Sequence, residues 1–335
     1  MNRSRRTFLA GAGAAVSGGL LAPAGTMAAA EPLSPSTHDV PRGLTFATIR
    51  RGGEMSLAIK TERGLLDVRA AESAFHQKAP TTVDDVIRHG GGTALQALLA
   101  KAVASARKDL FLDEGKADFG PCVTSPEKIV CVGVNYRKHA AETGSAVPTQ
   151  PILFNKYNTA LNCCGGEIAV SKEKAAKFDY EAELVIVLGR TARNVAEADA
   201  LGYIFGYCTG NDFTARDLQS VSSQWMLGKS LDGSGPIGPW LVTADQVDGD
   251  NLNIECRVNG EVRQSSNTSD MVFNCRQLVS YASRYFTLKP GDIIFTGTPE
   301  GVISGYPKDK QVWLKAGDTL VTSIEKLGDL EFKLT

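Results

Sequence analysis

Residues 178–189 read FDYEAELVIVLG. From Leu184 to Leu188 every side chain is large and apolar, the pattern of a strand covered on both faces. Two acids interrupt that pattern. Glu181 and Glu183 stand two residues apart, so an extended backbone projects both from one face, roughly 7 Å from each other. Bare carboxylates beside a core are costly to bury without a positive partner. That partner is either a set of lysines at a sheet edge or a cation bound by oxygen, since carboxylates are hard ligands suited to Mg²⁺, Mn²⁺ or Ca²⁺.

Two carboxylates do not make a metal site, and the stretch YIFGYCTGNDFTARDLQ (203–219) offers a third. Its apolar run ends at a Gly-Asn turn with Asp212. If the runs Tyr180–Leu188 and Tyr203–Cys208 lie side by side as strands, Asp212 reaches the glutamate pair.

Three other stretches carry polar groups at strand ends. In VGVNYRKHAAETG (132–144), His139 and Glu142 are three apart and share a helical face. A carboxylate there orients the imidazole and raises its basicity, as a general base requires. Lys229 lies in QWMLGKSLDGSGPIGPW (224–240), a Gly/Pro-rich stretch unsuited to regular helix. GDIIFTGTPEG (291–301) leaves the core into a Gly-Thr-Pro turn, where backbone amides and the Thr298 hydroxyl can face an anion. It lacks the G-x-x-x-x-G-K-[ST] spacing of a phosphate loop.

Around these stretches the chain is rich in strands. KIVCVGV, AELVIVLG, YIFGYCTG and DIIFTG are apolar runs, and NIECRVNGEVRQ is a hairpin whose Asn259-Gly260 pair favours a type I′ turn. Two Gly-Asp turns, in LKPGDIIF and LKAGDTLV, each feed a strand. Helices are expected near 195–201, capped by Asn194, and near 275–286. Upstream, LTFATIR, EMSLAIK and LLDVRA form a small meander. Two helices follow: one opens at Thr82–Asp85, and the other sets Leu95, Leu98, Leu99, Ala102, Val103 and Ala106 on one face, expected to pack. The expected division is a small N-terminal α+β domain at 44–118 and a larger one at 119–335, strand-rich mixed α/β with a coiled mixed sheet or β-roll.

Residues 1–30 carry paired Arg5 and Arg6, an Ala/Gly-rich weakly apolar run and Ala28-Ala29-Ala30, the pattern of a twin-arginine export signal. Residues 31–43 are a Pro- and Ser-containing tether. The expected location is the periplasm or the exterior, with no stable membrane insertion once the signal is removed. Leaving out the three arginines of residues 1–30 takes 36 basic residues to 33 against 37 acidic, a balance of −4 that does not suggest nucleic acid as a partner. The seven cysteines have no regular spacing and argue against a disulfide scaffold or structural zinc. Cys131 and Cys208 read as core thiols; vicinal Cys163-Cys164 is a candidate redox pair.

In chain order, GVNYRKHAAETG, FDYEAELVIVLG, GYCTGNDFTARDLQ, GKSLDGSGPIGP and FTGTPEGV resemble the fumarylacetoacetate hydrolase family over about residues 122–335. The resemblance implies a β-roll catalytic domain, a homodimer and a divalent metal, Mg²⁺ or Mn²⁺ with Ca²⁺ as a third candidate. By motif position, Glu181, Glu183 and Asp212 become the metal ligands, and His139 with Glu142 the dyad that activates water. Lys229 offsets oxyanion charge, while Arg216, Gln219 and Thr298 hold the carboxylate and oxo groups of a small oxo-acid substrate. The family's Phe-x-Lys-Pro stands here as FNKYN, with Lys156 kept as a further substrate contact and Tyr157 in place of proline. The implied reaction is hydrolysis of a C–C bond in an acylpyruvate or other β-diketone acid; the alternatives are a decarboxylase, hydratase or isomerase of an oxo-dicarboxylate and, more remotely, a non-catalytic oxo-acid binder.

Overall fold

The strand Ala182–Leu188 is buried along its whole length, and its alternate side chains feed two separate cores. Leu184, Ile186 and Leu188 pack into one, Val185 and Val187 into the other. Each such side chain contributes roughly 1.5–3 kcal/mol on burial, which fixes the register of the strand and the face on which its acids lie. The computed structural model describes residues 39–335 except Lys172; the expected export signal lies outside them. All the described residues fall in one compact unit, and among them no helix is long and apolar enough to cross a membrane.

Among the described residues, ten strands form the main sheet. Its order is 111–112, 64–67, 54–61, 45–51, 241–243, 204–211, 182–188, 293–295, 129–133 and 152–156. The pairing is antiparallel except between Ile293–Phe295 and Ile129–Gly133, which run parallel. A second sheet orders five strands as 261–267, 253–258, 319–324, 328–334 and 166–168. It packs its apolar face on Ala182, Leu184 and Ile186 through Ile254, Leu320 and Phe332. The chain is therefore strand-rich mixed α/β, as its sequence pattern predicts. The N-terminal meander continues the main sheet, through Thr45 and Phe46 paired with Val242 and Leu241.

Local chemistry accounts for most elements. Asn259 and Gly260 both have positive φ, 53° and 82°, and close the expected hairpin. Thr82 caps Val83–His89 by accepting from the Asp85 amide. Asn274 and Gln277 form a reciprocal capping box on Cys275–Tyr285. In the two Gly-Asp turns, Asp292 accepts from the Lys289 amide at 2.8 Å and Asp318 from the Lys315 amide at 2.9 Å.

The structure departs from the sequence reading in several places. Gly210 and Asn211, expected as a turn, end the strand Ile204–Asn211; in the helix Gly92–Ala104, Val103 is exposed and Ala106 lies beyond its end. LLDVRA ends as a strand at Asp67, whose carboxylate caps an additional helix, Val68–Phe75. Near 195–201 the chain forms a 3₁₀ segment, Glu197–Tyr203, and Asn194 is left-handed (φ 52°) instead of capping it. Lys229 closes a single helical turn, Met226–Lys229, that the Gly/Pro content had argued against.

Candidate active site

The glutamate strand and Ile204–Asn211 pair antiparallel, with Ala182 opposite Asn211. The Asp212 amide donates to the Glu181 carbonyl at 2.9 Å. This registers Asp212 beside the pair, as the sequence predicts. Glu181, Glu183 and Asp212 each turn a carboxylate oxygen to a common point, all three atoms within 4.8 Å of one another, and all three residues are buried.

The positive partners of two of these acids are side chains of the protein itself. Lys229 Nζ donates to Glu181 Oε2 at 2.5 Å and to Asp212 Oδ2 at 2.9 Å. Lys156 Nζ meets Asp212 Oδ1 at 2.7 Å and also donates to the Lys229 carbonyl. Arg216 Nη1 meets Glu181 Oε1 at 2.7 Å. Burial works against ionising Glu181, but Lys229 and Arg216 overcome it and hold its carboxyl down to about 2. The Lys229 ammonium is kept charged against burial by Asp212 and Glu181.

Glu183 is treated differently. Its one hydrogen-bond donor is the Gly297 amide, at 2.8 Å on Oε2. Burial, and then the neighbouring charges of Asp212 and Glu181, push its carboxyl well above the usual range. A hard divalent cation fits this donor set. It would neutralise the one acid that lacks a counter-charge, and each carboxylate retains lone pairs beyond those already engaged.

His139 and Glu142 sit on the short helix Arg137–Glu142, and His139 Nδ1 lies 2.8 Å from Glu142 Oε1. Glu142 is steadied in turn by the Gly301 amide, 2.9 Å from Oε2. The turn 297–301 does present amides to anions, and those anions are Glu183 and Glu142. Glycine is required at both ends of it. Gly297 and Gly301 have φ of 99° and 100°, and a Cβ would strike Asn135 at 2.7 Å in the first case and the Arg263 carbonyl oxygen at 2.2 Å in the second.

These groups surround one cavity of about 220 Å³. His139, Glu181, Glu183, Arg216, Gln219, Lys229 and Thr298 line it; Phe154 and Trp225 give it an aromatic wall. Arg216 Nη2 is buried there without a hydrogen-bond partner, while Gln219 Oε1 accepts from Arg216 Nη1 at 3.1 Å. Thr298 Oγ1 accepts from Gln264 Nε2 at 2.9 Å. Asp212 lies behind the glutamates and Glu142 behind His139. Lys156 is also set back: its ammonium is taken up by Asp212 and the Lys229 carbonyl, and it does not line this cavity.

The sequence reading passed over Asp179, which is fully buried and accepts four hydrogen bonds. Oδ1 takes the amides of Tyr180 (3.0 Å) and Ile303 (2.9 Å); Oδ2 takes the Ser304 amide (3.0 Å) and Arg216 Nε (2.8 Å). The signal was present, since Asp179, Glu181 and Glu183 continue one two-residue period. Cys131 and Cys208 are core thiols as expected; Cys163 lies 3.6 Å from both terminal nitrogens of Arg50, away from the cavity lining.

Comparison with known proteins places the chain in a family. Residues 128–335 match the family described as fumarylacetoacetate (FAA) hydrolase C-terminal. A mitochondrial oxaloacetate tautomerase of Xenopus laevis is 41% identical over 241 residues, 71% of this chain and 74% of that protein. Among solved structures, fumarylacetoacetate hydrolase from Exiguobacterium antarcticum superposes with a TM-score of 0.71 at 30% identity, covering 87% of this chain and 99% of that one. Fumarylpyruvate hydrolase from Pseudomonas aeruginosa, solved with Mn²⁺ and pyruvate, gives 0.57 at 33% identity, with 65% and 91% covered. The chain belongs to the fumarylacetoacetate hydrolase family, whose members include hydrolases and tautomerases.

Proposed function

We propose that this member of the family acts on a small 2-oxo acid by proton transfer at the carbon beside the oxo group, with keto–enol tautomerisation of oxaloacetate as its reaction. The observation that carries the proposal is His139, braced by Glu142, in the same cavity as the unpartnered Arg216 Nη2 and Glu181 and Glu183, two of the three converging carboxylates. The cavity, about 220 Å³, is below the ~300–1,000 Å³ that drug-sized ligands occupy, which favours a four-carbon substrate. The named activity of the Xenopus relative supports the same choice.

Glu181, Glu183 and Asp212 would hold the divalent cation, Mg²⁺ or Mn²⁺, which when bound supplies Lewis acidity to a substrate oxygen. The remaining work falls to the chain's own groups. Arg216 Nη2 receives the substrate carboxylate, with Gln219 and Thr298 beside it. Glu142 Oε1 accepts from His139 Nδ1–H and leaves Nε2 free as the base. Nε2 takes a proton from the carbon beside the oxo group, and Glu142 stabilises the resulting imidazolium. Lys229 offsets the negative charge that develops on the oxo oxygen, and reprotonation there completes the enol.

A second reading keeps the same residues and gives the proton transfer to water. His139 then deprotonates a water that attacks the distal carbonyl of an acylpyruvate, and collapse releases pyruvate enolate and a carboxylic acid. The pyruvate complex of the Pseudomonas relative favours this reading. Following the enol absorbance of oxaloacetate and of acetylpyruvate, with Mn²⁺ and then with EDTA, separates the two. Faster oxaloacetate interconversion without acetylpyruvate cleavage supports the first reading. Release of pyruvate and acetate supports the second, and neither result would end both.

The pair Arg5–Arg6 supports export by the twin-arginine route, and an Arg5→Lys, Arg6→Lys change should then hold the precursor in the cytoplasm. Homodimer formation rests on the family and is checked by sedimentation.

A further inference from the structure

We infer that Asp179 is a positioning residue that holds the substrate-binding arginine and the base dyad in one fixed relation. The inference rests on Arg216 being the group that receives the substrate carboxylate, as proposed above.

Each side of the site needs an anchor that the residues touching substrate do not supply. Arg216 has three nitrogens in a rigid plane. Nη1 is engaged by Glu181 and Gln219, and Nη2 is the one left for a ligand. The bond from Nε to Asp179 Oδ2, 2.8 Å long, adds a second anchored edge to the Nη1 contacts, and the two together fix the rotation of that plane. The dyad has a parallel need. Glu142 is held by the Gly301 amide and packs against Gly305, where a Cβ would come within 2.6 Å of its carboxyl carbon. Both glycines belong to the loop that turns at Ile303–Gly305, and the amides of Ile303 and Ser304 end on Asp179.

One carboxylate therefore joins the two halves: Arg216 on one side, and the loop that braces Glu142, and through it His139, on the other. Asp179 is fully buried and all four of its acceptor positions are filled. It is spent on the protein, and it reaches substrate only through its partners. Asparagine has a single acceptor oxygen. With that oxygen at the Oδ1 position the Tyr180 and Ile303 amides keep their partner, and the NH₂ stands opposite Arg216 Nε and the Ser304 amide, from neither of which it can accept. The substitution should free the guanidinium at the loss of one of the two loop bonds.

The test combines the crystal structure of full-length Asp179→Asn with steady-state kinetics and a double-mutant cycle against Arg216→Lys. The expected result is a turned Arg216 plane and a KM about tenfold higher, with a smaller fall in kcat. Asp179→Asn should add little once Arg216 is already lysine. An unmoved Arg216 with unchanged KM would overturn the inference, as would full additivity or a lower melting temperature with wild-type kinetics. If Asp179→Asn does not fold, Asp179→Glu keeps the charge, displaces it by one methylene, and should shift KM in the same direction. If the wild-type chain turns over no oxo acid, the proposed function fails. The position of Arg216 in the variant crystal still decides the role of Asp179.

Discussion

Asp84, in the helix Val83–His89, and Glu183, on the central strand, are both buried, at 7% and 1% exposure. Their surroundings differ in kind. Asp84 accepts from the amide and the hydroxyl of both Thr124 and Ser125, at 2.6–3.2 Å, and has Arg88 nearby at 3.6 Å. Glu183 accepts from one amide and faces two other carboxylates. Asp179, between them in the sequence, has the full complement that Asp84 has. A carboxylate saturated by hydrogen-bond donors fastens loops together. One left short of partners beside like charges is held there at a cost to the fold, and is ready for a cation from outside.

The comparison is tested hardest at Glu183. Glu183→Ala should remove bound divalent metal and activity together, measured as metal content and turnover on the same sample; full activity in metal-free buffer would refute the metal reading. Next in size is His139→Ala, expected to lower turnover ~10²–10⁴-fold while the metal content stays at the wild-type level. On the saturated side, Asp84→Ala strands four donors and should cost about 3 kcal/mol in urea denaturation. Its kcat should not change, and a fall in kcat with stability intact would mean the two acids do not differ in role. The smallest effect has the opposite sign. Glu183→Gln should stabilise the metal-free protein by about 1–2 kcal/mol, because it replaces an acid whose ionisation is opposed by burial and by Asp212 and Glu181. A less stable metal-free variant would show that Glu183 is as well satisfied as Asp84.

Much of this was legible in FDYEAELVIVLG alone. The apolar run announced a strand covered on both faces, and the two-residue spacing put Glu181 and Glu183 together; Asp212 reaches them by strand pairing, since the Gly-Asn pair expected as a turn ends the strand Ile204–Asn211. The hairpin at Asn259-Gly260 and the cap at Thr82 were equally local. What escaped depended on groups far apart in the chain. Lys156 was expected from its motif to contact substrate, and only the fold shows that its ammonium goes to Asp212, 56 residues on. Asp179 was hidden because its partners lie at 216 and 303–304. The helix after Asp67 was missed for a different reason. VRA continues the apolar texture of LLD, and only the capping carboxylate marks the change from strand to helix. Asn194 was misjudged because an asparagine can cap a helix or sit left-handed before one, and local sequence does not choose.

The order in which the chain is made gives the main sheet a further property. The glutamate strand and the strand leading to Asp212 are neighbours in sequence and pair antiparallel. The Gly297 amide that covers Glu183 comes 114 residues later, and the Asp292 carboxylate that ties the Lys128 backbone comes 164 residues after Lys128. A ribosome releases the acidic strand pair well before it releases the turn that closes over it. Until that turn is made Glu183 lacks its amide donor, so a cation has access to it without breaching a finished core.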